Sequence, residues 1–268
     1  MTVNETKIIL AKPFHLGLKY VRQQRHFSCW CVVVLTSKFS VYNISPDLLK
    51  SHKVVTSKEE WQTHRDIMLA KEKALMKQND ALYKEIRAQP WLKIEKTYSF
   101  DTNEGKKTLQ ELFGTKNQLA IYHFMFGPDD EEGCGGCSFL TDQFQGVSTH
   151  LAQRDTAFVL VSSAPLEKIN KFKARMGWTD KFNWVSSNAC PEFNVDYGCK
   201  TASGGEMFAF STWYKEKDTI CLTYLTSCRG TEPMIPVYAI LDRVAKGRDE
   251  VGHGWKYPMS WVKHHDKY

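Results

Sequence analysis

Between residues 58 and 88 the chain has neither Pro nor Gly, and Trp61, Met68, Leu75 and Leu82 recur every seven residues with Ala74, Ala81 and Ile86 beside them. This spacing draws one narrow apolar stripe along an otherwise charged rod and predicts a long helix. Ser57 and Glu60 make a capping box at its start, and Pro90 stops it. The stripe must be covered. Because it spans little more than three heptads, a helix lying across the globular domain is favoured over a coiled-coil homodimer, which stays as the alternative.

From Leu92 the period shortens. Residues 96–100, 119–126 and 156–163 read as strands, 108–113 as a helical turn, and 138–154 as a helix. Residues 165–176 read as a helix opened by Pro165 and closed at Gly177. Residues 207–214 and 219–225, joined by a polar Lys-Glu-Lys-Asp turn, read as a hairpin. The order predicts an α/β fold, a mixed sheet with helices on both faces. The expected divisions are an extension over residues 1–51, poorly ordered, the long helix within 52–91, and a domain over 92–268.

Composition places the chain among folded proteins: of 268 residues, 42% are hydrophobic and 25% charged. The formal charge of +6 suggests nucleic acid until it is located. Residues 1–50 hold seven Lys/Arg against two acids, so the remaining 218 residues carry only +1. The body of the chain therefore lacks the basic footprint that a polyphosphate partner requires. The apolar run over residues 29–35 is too short for a membrane span of roughly 20 residues and sits too far into the chain for a signal peptide. Neither a nucleic-acid nor a membrane partner is expected. Eight Cys at irregular spacing fit a reducing, cytoplasmic setting better than a disulfide scaffold.

The informative pair is Cys134-Gly135-Gly136-Cys137, which follows a buried strand and opens a helix. Unpaired N–H groups at a helix N-terminus stabilise a thiolate and draw a Cys pKa from about 8.5 toward 7 or lower. The three-residue offset sets Cys137 one helical turn behind Cys134, where it can displace a substrate from a mixed disulfide. The alternative is a zinc knuckle, which wants four ligands. No second C-x-x-C exists, and only His264, His265 and Asp266 at the C-terminus offer to complete one. The redox reading is the stronger, with no metal and no bound organic cofactor.

Around the pair, Asp129, Asp130, Glu131 and Glu132 crowd the approach loop. If they face the sulfur they raise its pKa and favour cationic or neutral disulfides over anionic glutathione; a run of this kind more often points into water. His123, on the strand leading in, could pass a proton between the sulfurs or be satisfied in the core. Trp178, Trp184 and Tyr197 could line a substrate groove, although packing is their commoner use. Cys190 and Cys199 read as buried, inert thiols. No role is assigned to Cys29, Cys31, Cys221 or Cys228.

Residues 122–139 (YHFMFGPDDEEGCGGCSF), together with HLAQRD, APLEKINKFKARMGW, FNVDYG, GRDE and the ending WVKHHDKY, resemble a large thioredoxin-like family of unknown function. Its members are often labelled dithiol-disulfide oxidoreductases. The resemblance runs from about His52 to Tyr268. It implies a thioredoxin-like fold with Cys134 and Cys137 as the paired cysteines. Asp130 stands where the family commonly has Trp, and residues 201–206 lack the Pro that thioredoxins proper place beside the pair.

The expected activity is therefore thiol-disulfide exchange, with Cys134 attacking and Cys137 resolving. Its partners are a protein or small-molecule disulfide and an external electron donor. A non-catalytic thioredoxin-like binding module is the first alternative. Peroxide reduction is the weaker one, since it needs an Arg brought to the sulfur.

Overall fold

The computed structural model describes residues 48–201, 203–253 and 258–268. The extension over residues 1–47, with its apolar run, Cys29 and Cys31, lies outside them. The described chain opens with α1 (Leu48–Ser51) and α2 (Lys58–Ala88). Ser57 Oγ accepts the Glu60 N–H, Glu59 and Glu60 face the positive end, and Arg87 sits at the negative one. Pro90 then forces the preceding residue, Gln89, into extended backbone.

The position of α2 corrects one expectation. Its stripe does not lie across the domain: no residue of α2 is buried, and Trp61, Met68, Leu75 and Leu82 are 45–58% exposed. The reason is that shorter helices already cover both faces of the sheet, as described below. Gln89 Nε2 donates to Thr223 O where the helix meets the sheet edge.

The sheet elements follow in the order β1 (Leu92–Ile94), β2 (Ser99–Thr102), β3 (Gly105–Thr108), α3 (Leu109–Leu112) and β4 (Gln118–His123). Next come α4 (Gly135–Asp142), α5 (Val147–Ala152), β5 (Thr156–Ser162), α6 (Leu166–Arg175), β6 (Asn183–Ser186) and α7 (Pro191–Asp196). The hairpin β7 (Ala209–Glu216) and β8 (Thr219–Thr226) precedes α8 (Pro236–Leu241). One eight-stranded sheet results, ordered β1-β8-β7-β4-β5-β6-β2-β3. β4, β5 and β6 run parallel, while β7 and β8 run antiparallel beside them.

Three local differences have local causes. The strand expected over 96–100 starts at Ser99, because it pairs with β3 across a tight turn at Gly105. The helix expected over 138–154 is two helices, broken where Gly146 adopts φ +83°, a conformation that L side chains rarely take. β1, β6 and α7 were not expected: β1 and β6 are only three and four residues long, and α7 six.

Two cores separate cleanly across the sheet. Tyr122, Phe124, Leu160 and Trp184 meet Cys137, Phe139 and Leu140 of α4, Ile169 and Phe172 of α6, and Tyr238 of α8. On the opposite face Leu119, Ile121, Val159 and Trp213 meet Leu109 and Leu112 of α3 and Phe193 of α7. Parallel central strands with a flanking antiparallel hairpin, covered on both faces and with α4 entered from the loop that follows the central strand, make this a thioredoxin-like fold. Among the described residues no helix is long and apolar enough to cross a membrane.

Candidate active site

The loop after β4 folds back on itself. Cys134 N–H donates to Met125 O at 3.0 Å, and Ala164 N–H donates to Phe126 O, so residues 126–133 form a compact turn at the C-terminal ends of the parallel strands. Gly133 fits because it has no side chain: a Cβ there would meet the Phe124 and Phe172 rings at 2.7 Å. Cys134 follows as the N-cap of α4, and its carbonyl accepts both the Ser138 N–H and the Ser138 hydroxyl at 2.9 Å.

At this position Cys134 is partly exposed, with donors close to its sulfur. The Cys137 thiol does most to stabilise its thiolate, and the backbone N–H groups of Cys137 and Gly136 add to this. Burial and the Asp130 carboxylate oppose these donors. The donors win, bringing the Cys134 pKa down to about 7. Cys137 is 1% exposed, and burial, reinforced by the neighbouring Cys134, pushes its thiol far above the ordinary range. The two sulfurs thus differ as an attacking and a reserve thiol differ. Both are free.

The Tyr122 hydroxyl, buried in the same core as Cys137, and the Met125 backbone lower the Cys137 pKa against that burial. Tyr122 was missed in the sequence because it lies in an unbroken apolar strand, where alternation does not reveal which residues face which side. His123, expected at the site, corrects in the opposite sense. Successive strand residues point to opposite faces, so its ring stacks on Phe193 with centroids 5.5 Å apart and Nε2 lies 2.8 Å from Ser211 Oγ. Burial lowers its pKa to about 3, which leaves it neutral in the far core.

Trp178 is also displaced from its expected role. It is 0% exposed, donates Nε1–H to Asp142 and packs on Phe172 and Trp184. Trp184 and Tyr197 are equally core residues. Cys190 and Cys199 lie in the far core, with burial raising both thiols, that of Cys199 to about 12.

The acidic loop divides by residue. Asp129, Asp130 and Glu131 are all exposed, but Asp130 Oδ2 also accepts the Gly127 N–H at 2.6 Å and its charge reaches Cys134. Glu132 belongs to the C-terminal tail: Lys267 and Arg175 bind its carboxylate at 2.6–2.8 Å and hold its pKa at about 2. Arg175 in turn grips Asp266 through Nε and Nη2. His264 is buried with Nε2 2.7 Å from Gly133 O, and His265 Nδ1 meets Asp142. The three C-terminal groups considered as zinc ligands are thus engaged in fastening the tail beside α4. Among the described residues no group of three or more His, Cys, Asp or Glu is placed to hold a metal ion.

With this geometry established, a family model described as "Bacterial protein of unknown function (DUF899)" matches residues 50–268. The chain belongs to the DUF899 family. No curated protein sequence matches it. Solved structures similar to this DUF899 chain include a PrxQ mutant of Xylella fastidiosa, 15% identical with TM-score 0.38, covering 53% of this chain and 88% of the other. Peroxidoxin BcpB from Mycobacterium tuberculosis is 14% identical with TM-score 0.39, covering 54% and 95%. Peroxiredoxin Q of Xanthomonas campestris is 18% identical with TM-score 0.38, covering 55% and 91%. Likeness at this level transfers no chemistry.

Proposed function

We propose that the chain is a cytoplasmic dithiol-disulfide oxidoreductase. One observation carries the reading: the partly exposed Cys134 caps the N-terminus of α4, its pKa brought down to about 7 chiefly by the neighbouring buried Cys137 thiol. A pKa lowered from the usual thiol range keeps thiolate available at neutral pH to attack a disulfide RS–SR′. Attack forms the Cys134–SR mixed disulfide and releases R′S⁻. Cys137 then attacks the Cys134 sulfur, giving its proton to the departing RS⁻ and closing the internal disulfide. The substrate gains two electrons and the protein loses two, which an external dithiol restores. The reducing compartment is supported by the sparse, irregular cysteines and the free thiols of the described residues.

For peroxide reduction, two arginines of the described residues are placed away from such a role. Arg154 precedes β5 at the opposite end of the parallel strands, about 20 Å from the Cys134 end, and Arg175 is committed to Glu132 and Asp266. The test is turnover of cystamine with dithiothreitol as reductant, with hydrogen peroxide assayed in parallel. Cys134→Ser should abolish cystamine turnover, and pre-reduced Cys137→Ser, freed of dithiothreitol and mixed with cystamine, should react with one equivalent and hold the mixed disulfide visible by mass. Equal turnover by wild type and Cys134→Ser contradicts the proposal; peroxide consumed much faster than cystamine replaces it with the peroxidase reading.

A further inference from the structure

The C-terminal tail runs beside the redox turn along its whole length. His264 Nε2 meets Gly133 O at 2.7 Å, His265 Nδ1 meets Asp142 at the far end of α4, and the Trp261 and Phe139 rings pack edge to face with centroids 5.4 Å apart. Between these anchors the tail reaches the two glycines that separate the cysteines. Val262 O lies 3.9 Å from where a Cβ on Gly135 would stand. A Cβ on Gly136 would stand 3.8 Å from Cys134 Sγ and 4.0 Å from Met259 Cε.

Neither glycine is demanded by backbone or packing. Neither adopts the positive φ that favours glycine, and these distances are ordinary van der Waals contacts, so Ala fits at both. Gly in a helix costs stability relative to Ala, and its use where a side chain would fit suits close approach of a ligand to the backbone. At Gly136 the missing side chain leaves a notch about one methyl group wide, bounded by the attacking sulfur on one side and the partly exposed Met259 on the other. A carbon placed there touches both at the optimal separation. Met is unbranched and adapts to what it contacts.

We propose that Met259 sets the substrate preference of the Cys134 site, the notch beside Gly136 receiving an unbranched alkyl chain carried by the sulfur under attack. The inference rests on the dithiol-disulfide oxidoreductase reading and names a substrate class for it: dialkyl disulfides, in preference to disulfides with polar chains of the same length. With dipropyl disulfide, the Cys134 thiolate forms the S-propyl mixed disulfide and releases propanethiolate. Cys137 then attacks the Cys134 sulfur, closes the internal disulfide and gives its proton to the second propanethiolate. Full enclosure of one methylene separates substrates by about 10-fold or more; Met259 closes the notch on one side only, so about fivefold is expected.

The experiment compares dipropyl disulfide with bis(2-hydroxyethyl) disulfide, which are uncharged and equal in heavy atoms, so the Asp130 charge does not separate them. Each is mixed with the pre-reduced full chain freed of reductant, and loss of the Cys134 thiol is followed by N-ethylmaleimide quench and mass mapping. Each rate is divided by that of N-acetylcysteine with the same disulfide, which removes intrinsic reactivity. The corrected ratio should favour dipropyl disulfide about fivefold. Met259→Gln, of similar length but polar, and Gly136→Ala, which fills the notch, should each bring it below about twofold, while Met259→Leu should retain it. Circular dichroism checks that each variant is folded. A corrected ratio near one in the wild type, or one unchanged by Met259→Gln or Gly136→Ala, overturns the inference and leaves the exchange reading standing. No loss of the Cys134 thiol with either disulfide overturns both.

Discussion

Tyr122 of the central strand and Cys137 of α4 share the core on one face of the sheet, where the phenol lowers the pKa of the buried thiol against burial. Both groups are fully buried, and burial raises both pKa values, so neither ionises readily on its own. The hydroxyl matters when Cys137 becomes nucleophilic, because a donated hydrogen bond stabilises the developing thiolate. Tyr122→Phe should retain the fold and the first attack by Cys134, yet slow closure of the internal disulfide about fivefold, equivalent to a hydrogen bond worth about 1 kcal/mol. Rapid quenching with acid and mass analysis should show the mixed disulfide accumulating. Unchanged closure kinetics would remove Tyr122 from the mechanism.

Asp130 acts on the other sulfur. Its carboxylate disfavours the Cys134 thiolate, so Asp130→Asn, which can still accept the Gly127 N–H, should move the pH midpoint of iodoacetamide alkylation below about 7. The same change should raise the rate with glutathione disulfide relative to cystamine, since an anionic substrate no longer meets a fixed negative charge. Stopped-flow rates at low and high salt check this. A selectivity ratio unaffected by the substitution would show that Asp130 does not face the substrate.

Gly133 is a packing requirement placed next to the nucleophile. Gly133→Ala drives a methyl group into two buried phenyl rings and should cost about 1–3 kcal/mol in urea unfolding. Because His264 fastens to the Gly133 carbonyl, hydrogen exchange over residues 262–268 should rise in the same variant. Wild-type stability would mean that the loop has room which the structure denies it.

The tail has an acid limit. Glu132 is held at about 2 by Lys267 and Arg175, below its ordinary value of 4.5. A carboxylate depressed in the folded state contributes stability that is complete above its unfolded pKa and lost as pH falls through the folded one. Exchange protection of residues 262–268 should therefore be flat above about pH 5 and fall between about 4.5 and 2. Glu132→Gln should lower that protection at neutral pH and flatten the acid loss. Its side chain is 38% exposed, so solvent moderates the size of the effect.

Much of the domain was legible from the residues. The strand at 119–126, the strand at 156–163, the helix closed at Gly177 and the hairpin all follow from apolar runs and their breakers, and each appears with shifted ends. The Cys pair at a strand-to-helix junction was legible for the same reason, since backbone geometry alone defines it. The assignment of faces was not. Tyr122 and His123 are adjacent in a strand buried on both sides, and only the position of α4 decides that the phenol meets sulfur and the imidazole does not. The tail was likewise illegible, because Glu132, Arg175 and Asp266 are brought together across separations of 43 and 91 positions.

The central claim is that Cys134 and Cys137 form a reversible two-electron couple. It is tested most directly by equilibrating the full chain with dithiothreitol buffers of graded potential, alkylating the free thiols and mapping them by mass. The account predicts that Cys134 and Cys137 lose and regain alkylation together along one two-electron curve, while Cys190 and Cys199 stay reduced. Independent titration of the two sulfurs, or persistent alkylation of both under oxidising conditions, would contradict it.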